Sequence, residues 1–187
     1  MIANNMTGKR LSAVTNGSVR QDQLDKVVQF RTPSFHLSID GIEELYSVVR
    51  PPHSWDWWQK QLNLIQKTDI DLTFACVAHA FNIHQLPRIL NYFLKQNPEH
   101  LYFSSVKGQE HLLPWVVPES VLLTAIDELT AMLDTVPKEK YIKTINNLIN
   151  YLKTGLNHNA FQRRVMDVYV STFSHKGYRE TIPWINQ

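Results

Sequence analysis

Polar side chains suited to holding a ligand gather at two points early in this chain. Ser38-Ile39-Asp40-Gly41 closes a short apolar run that begins at Ser34, and Thr15-Asn16-Gly17 closes the run that begins at Leu11. At both points apolar residues give way abruptly to small polar residues and a glycine, and a helical pattern follows. A β/α unit presents polar groups in this way at the carboxyl edge of a parallel sheet, where such folds bind ligands. A second reading stands beside it: Asp before Gly at a strand end also makes a turn or caps a helix. Other chemistry finds less support. His79 and His84 flank a strand-to-helix turn, but no carboxylate or third ligand recurs at a spacing that would complete a metal site. Trp55, Trp57 and Trp58 can stack on a base, yet Trp55 and Trp58 fall on the core face of a predicted helix, where packing is the favoured role. The chain has no Ser-His-Asp arrangement, no phosphate loop and no dinucleotide fingerprint. Its one cysteine, Cys76, lies in an apolar run and reads as a buried, inert thiol. A single cysteine excludes a disulfide framework and any self-contained Cys-ligated zinc or iron–sulfur site.

The elements that must position these groups read as alternating strands and helices. Mostly apolar runs at 10–15, 35–39, 70–78 and 101–106 predict strands covered on both faces. Between them, residues 21–29 carry Leu24, Val27 and Val28 on one helical face. Trp55, Trp58, Leu62 and Ile65 recur at helical steps, with Ser54 as N-cap and Asp56 in the first turn. Residues 85–96 bring Leu86, Leu90, Phe93 and Leu94 together. This order predicts parallel strands joined by right-handed crossovers. After Pro118 the pattern is helical only, over 121–133, 138–153 and 157–173, with breaks at Pro137 and Gly155. The aromatic tail is expected to pack back on the body, since a free tail would expose Trp184. The expected fold is α/β: a partial (β/α) barrel of about four parallel strands with crossover helices over 1–117, followed by a helical region, 118–187, packed on it. Four parallel strands do not close a barrel, so two edges need cover from helices, another copy or a partner, unless the chain is a fragment.

With 187 residues the chain can form one domain with a substantial core. Its net charge of +2, with no lysine- or arginine-rich block, gives no reason to expect a nucleic-acid partner. Arg163-Arg164 is too short to count. The first residues lack a charged start and an apolar core of the signal-peptide type. No apolar segment approaches the ~20 residues needed to span a bilayer. The expectation is a cytoplasmic protein without membrane contact.

Together these stretches resemble one enzyme family. Thr15-Asn16-Gly17, then Ser38-Ile39-Asp40-Gly41-Ile42-Glu43-Glu44-Leu45-Tyr46, then Arg50-Pro51-Pro52 and Trp55 resemble the middle of a radical S-adenosylmethionine (radical SAM) enzyme of the type carrying a reduced auxiliary-cluster, or twitch, domain. Val77, Asn82 and Leu86-Pro87 fit that family's next strand and helix. Pro114 and Glu180-Thr181-Ile182-Pro183 are similar to its carboxyl terminus. The resemblance covers nearly the whole chain, and the stretch from Ser38 to Arg50-Pro51 is its most specific part.

The resemblance implies a (β/α)6 barrel in which a [4Fe-4S] cluster cleaves S-adenosylmethionine to a 5′-deoxyadenosyl radical. It implies that Ser38 bonds the ribose or amino acid moiety of S-adenosylmethionine and that Asn16 faces the same cavity. Arg50 would hold the methionyl carboxylate, since guanidinium–carboxylate pairing is strong and directional. Asp40 would contact the ribose or cap the following helix. The sequence departs from the family where the cluster should bind. The Cys-x-x-x-Cys-x-x-Cys loop and the following Gly-Gly-Glu-Pro strand are missing, and Cys76 stands elsewhere. The expectation is the carboxyl-terminal portion of such an enzyme, without cluster ligands and inactive alone. Its partner would be an amino-terminal half carrying the cluster motif, and its substrate a peptide or small molecule. The alternative is a non-catalytic binding or assembly protein that retains a half-barrel.

Overall fold

The computed structural model describes residues 8–107, 112–157 and 181–186. Strand β1 (Arg10–Thr15) leads through helix α1 (Gln21–Val27) to β2 (Thr32–Ser38). Helices α2 (Glu43–Val49) and α3 (Trp55–Ile65) connect β2 to β3 (Asp71–Ala78). Helix α4 (Leu86–Lys95) leads on to β4 (His100–Ser105), and α5 (Glu119–Met132) and α6 (Glu139–Thr154) follow. The strands form one parallel sheet in the order β1-β2-β3-β4, which is also their order in the chain. The protein is therefore α/β, with a four-stranded parallel sheet and flanking helices.

Sequential parallel strands joined by right-handed crossovers put their connecting helices on one face. The side chains follow that rule. Phe35, Leu37 and Ile39 of the β2 segment and Phe74, Cys76 and Ala78 of β3 are buried beneath the helices. Phe74 meets Trp58 of α3 at 6.3 Å and Phe93 of α4 at 4.9 Å between ring centroids. Leu24 of α1 and Leu45 and Tyr46 of α2 are fully buried in the same layer. The opposite face carries Val14, 77% exposed, and Tyr102, 59% exposed. The expectation of strands covered on both faces thus fails at these positions. Their apolar runs reflect one buried face and small or aromatic residues on the other.

Ser54 caps α3 as expected, its Oγ accepting from the Trp57 N–H at 3.2 Å. The expected helices after Pro118 correspond to α5 and α6 with ends shifted by one or two residues, the usual margin for helix termini. The expected helix over 157–173 lies almost wholly outside the described residues. Ile182 and Trp184 are buried, so the described part of the tail packs back on the body. One hydrophobic core includes Leu122, Ile126 and Leu129 of α5 and Ile145 and Leu152 of α6 together with the sheet residues.

The β4 edge is covered by α6. Tyr141 donates its hydroxyl to the Pro98 carbonyl, Lys140 bonds the Glu99 carbonyl, and Thr144 Oγ1 lies 3.5 Å from the Leu101 carbonyl it donates to. These bonds supply partners to two carbonyls of the turn before β4 and to one, Leu101, in the strand itself. The outer edge of β1 pairs with no strand among the described residues. No helix among the described residues is long and apolar enough to cross a membrane.

Gly41 sits where β2 hands over to α2. A Cβ there would lie 2.9 Å from Leu45 Cγ and 3.1 Å from both the Leu45 carbonyl carbon and the Tyr46 nitrogen. The chain can pass this close to the first turn of α2 only without a side chain. Gly41→Ala is expected to destabilise the fold by about 1–3 kcal/mol through overpacking. A urea titration would read this as a lower midpoint at unchanged slope.

Candidate functional site

The carboxyl ends of β2 and β3 are joined by a polar network centred on Asp40 and Asn82. The Ile39 N–H still donates to the Ala75 carbonyl at 2.8 Å, so the ladder runs one residue past Ser38 before Asp40 turns away. Asp40 Oδ1 accepts from the Val77 N–H at 2.8 Å, and Oδ2 pairs with Arg50 Nη2. Asp40 does not cap α2. Helix α2 has Ile42 at its N-cap, with no side-chain capping bond. Charge-assisted bonds to a guanidinium and a buried N–H outcompete a helix-end contact.

Asn82 is completely buried, and its amide is fully used. Nδ2 donates to the Asp40 carbonyl at 2.9 Å and to the Val77 carbonyl at 2.8 Å, with Cys76 Sγ at 3.6 Å. Oδ1 accepts from the His79 N–H at 2.9 Å. Gln85 adds a further tie, its Oε1 accepting from the Ile42 N–H at 3.3 Å. One turn, residues 79–85, thereby locks the ends of two strands to the starts of α2 and α4. Asn82→Asp would replace the donor amide with an oxygen facing two carbonyls. It is expected to cost about 3 kcal/mol or more, read by urea unfolding, because buried carbonyls lose their donor and a carboxylate is desolvated.

His79 is held by the same turn. Its Nδ1 accepts from the Phe81 N–H at 3.2 Å, so the neutral ring carries its proton on Nε2. Burial lowers its pKa to about 4; the nearby Asp40 charge pulls upward and Arg50 pushes further down. Burial, aided by Arg88, lowers His84 to about 4 as well. Cys76 is buried, and desolvation raises its thiol pKa well above the ordinary value. Because the folded-state pKa of His79 lies below the ordinary 6.5, the unfolded chain binds its proton first as pH falls. The stability tied to neutral His79 is complete above pH 6.5 and drains away as pH falls toward about 4. Urea midpoints measured across that window are expected to fall with pH, and less steeply in His79→Asn.

The four residues singled out by the sequence do not form one cluster. Asp40 and Arg50 are bonded to each other, Asp40 buried and Arg50 about a quarter exposed. Arg50 Nε is buried without a partner. Ser38 ends β2 beside Ala75, half-buried, and its hydroxyl bonds no described residue. Asn16 follows β1, where its Oδ1 accepts from the Ser18 N–H at 3.0 Å and Gly17 takes φ +88°. Asn16 and Ser38 therefore share the carboxyl edge while standing outside the Asp40 network. His79 entered the sequence reading only as a possible metal ligand and Asn82 only through a resemblance. Gln85 carried no signal beyond its place in a strand-to-helix turn.

An open cleft of about 840 Å³ lies at the ends of β3 and β4. Asp40, Val77 and His79 line one side, and Tyr102, Ser104 and Lys107 the other. An iron–sulfur cluster needs several thiolates, and this chain offers one buried, protonated thiol, so its residues do not fit the cluster. The Ser38 hydroxyl and the Asn16 amide nitrogen bond no described residue. A scan against protein-family models and searches of curated proteins and of solved structures each return no match for this chain.

Proposed function

We propose that this chain is the carboxyl-terminal portion of a radical SAM enzyme, contributing part of the S-adenosylmethionine pocket and the substrate side of a (β/α) barrel. The observation that carries the reading is the strand order. Four parallel strands lie in chain order with their connecting helices on one face, which is the arrangement of a contiguous arc of such a barrel. The strand ends that carry Asn16 and Ser38 lie at the ligand-binding edge of that architecture. In this reading Ser38 and Asn16 hydrogen-bond the cofactor, and the Asp40–Arg50 pair holds the end of β2 in place. Arg50 would receive a methionyl carboxylate only by exchanging it for Asp40. The cluster would come from a partner polypeptide with a Cys-x-x-x-Cys-x-x-Cys loop, joined along β1, in the cytoplasm. The substrate is a peptide or small molecule.

One observation favours a second reading, a non-catalytic binding or assembly protein. Helix α6 packs beside β4, with Thr144 reaching the Leu101 carbonyl of that strand and Lys140 the Glu99 carbonyl just before it, so this side of the sheet is already occupied by a helix.

The test is co-expression of the full chain with a half-barrel carrying the three-cysteine loop, followed by anaerobic purification and reduction with dithionite. The expected outcome is 5′-deoxyadenosine formation that requires both polypeptides and drops about tenfold in Ser38→Ala, the scale of one hydrogen bond to a polar ligand. Product formed equally without this chain would overturn the proposal. A folded, iron-free monomer that never joins the cluster-bearing half would establish the second reading instead.

A further inference from the structure

The cleft between the ends of β3 and β4 contains an unused donor. His79 is 9% exposed, its Nδ1 is taken by the Phe81 N–H, and the ring lines the cleft. Its Nε2 donates to no described residue. The ring lines the open cleft, so this N–H is within reach of water or of a ligand that offers an acceptor. The rest of the lining defines what that acceptor is. Ser104 and Ser105 offer hydroxyls and Lys107 an ammonium, while Val77, Phe103 and Leu112 supply apolar wall. Among the described lining residues the carboxylate is Asp40, and both its oxygens are engaged by Val77 and Arg50.

We infer that this cleft binds a small carboxylate with an apolar body, one carboxylate oxygen accepting from His79 Nε2 and the charge facing Lys107. The inference does not depend on the radical SAM reading, because it uses neither Ser38 nor Asn16 and involves no cluster. The low pKa of His79 agrees with it: the ring stays neutral, and its donor tautomer is fixed by the Phe81 bond. Apolar walls and a neutral donor favour a carboxylate over a phosphate, whose higher charge and full polar surface would find one ammonium among the described lining residues.

Benzoate is a suitable probe, with binding to the full chain followed by NMR of the His79 ring and of the Ser104 and Lys107 amides. Saturable millimolar binding is expected, the range open to so small a ligand. His79→Asn retains an acceptor for the Phe81 N–H and loses the Nε2 donor. It should stay folded by circular dichroism and bind benzoate at least about tenfold more weakly. Lys107→Gln, on the exposed rim, should weaken binding without touching the Asp40 network. Absence of saturable shifts in the parent protein would overturn the inference, as would undiminished binding by folded His79→Asn. Equal or tighter binding of inorganic phosphate would overturn the assignment to an apolar carboxylate.

Discussion

The buried amide of Asn82 is the contact on which the carboxyl edge of this sheet depends. Parallel strands are tied to one another along their length by ladder bonds, but past the last ladder pair each chain must find other partners for its backbone groups. Asn82 supplies them for two strands together, donating to the Asp40 and Val77 carbonyls and accepting from the His79 N–H. Asp40 completes the closure by accepting from Val77 and pairing with Arg50. Satisfied polar networks of this kind are stiff, because breaking any one bond leaves a buried group without water. The edge is thus held rigid by side chains that themselves have little capacity left for a ligand.

That division of labour explains the character of the open groups nearby. Ser38, Asn16 Nδ2 and His79 Nε2 lie at or beside the same edge, but their protein partners do not exhaust them. A rigid frame with unspent donors at its rim is what ligand binding requires, since an acceptor that docks there meets groups already fixed in place. The ion pair of Asp40 and Arg50 belongs to the frame. Burying it in part is tolerable because Asp40 has a second bond from Val77 and Arg50 keeps a quarter of its side chain in solvent.

The asymmetry of the sheet follows from its connections. Crossovers of one hand stack the helices over Phe35, Leu37 and Phe74 and leave Val14 and Tyr102 on the other face. The two edges are handled differently. Beside β4, α6 offers Tyr141, Thr144 and Lys140 to carbonyls of the segment from Pro98 to Leu101, while β1 has no such cover among the described residues.

The sequence by itself determined the alternation of strands and helices, the change to helices after Pro118, the Ser54 cap and the burial of Trp58, Cys76 and Trp184. These are local matters, governed by apolar period, capping chemistry and turn residues over a few positions. It also pointed to the carboxyl edge, because small polar residues and glycine after an apolar run mark a strand end wherever they occur. The partners of those polar residues were decided only by the tertiary structure. Asp40 read as a structural residue more readily than as a ligand contact, and its structural partners are the Val77 N–H brought by β3 and Arg50 brought by the loop, not the end of α2. Asn82 and Gln85 had no distinctive spacing, since their bonds reach Asp40 and Ile42 more than forty residues away. Long-range pairing of this kind depends on strand register and crossover hand, and neither is encoded in the few residues on either side of the group being paired.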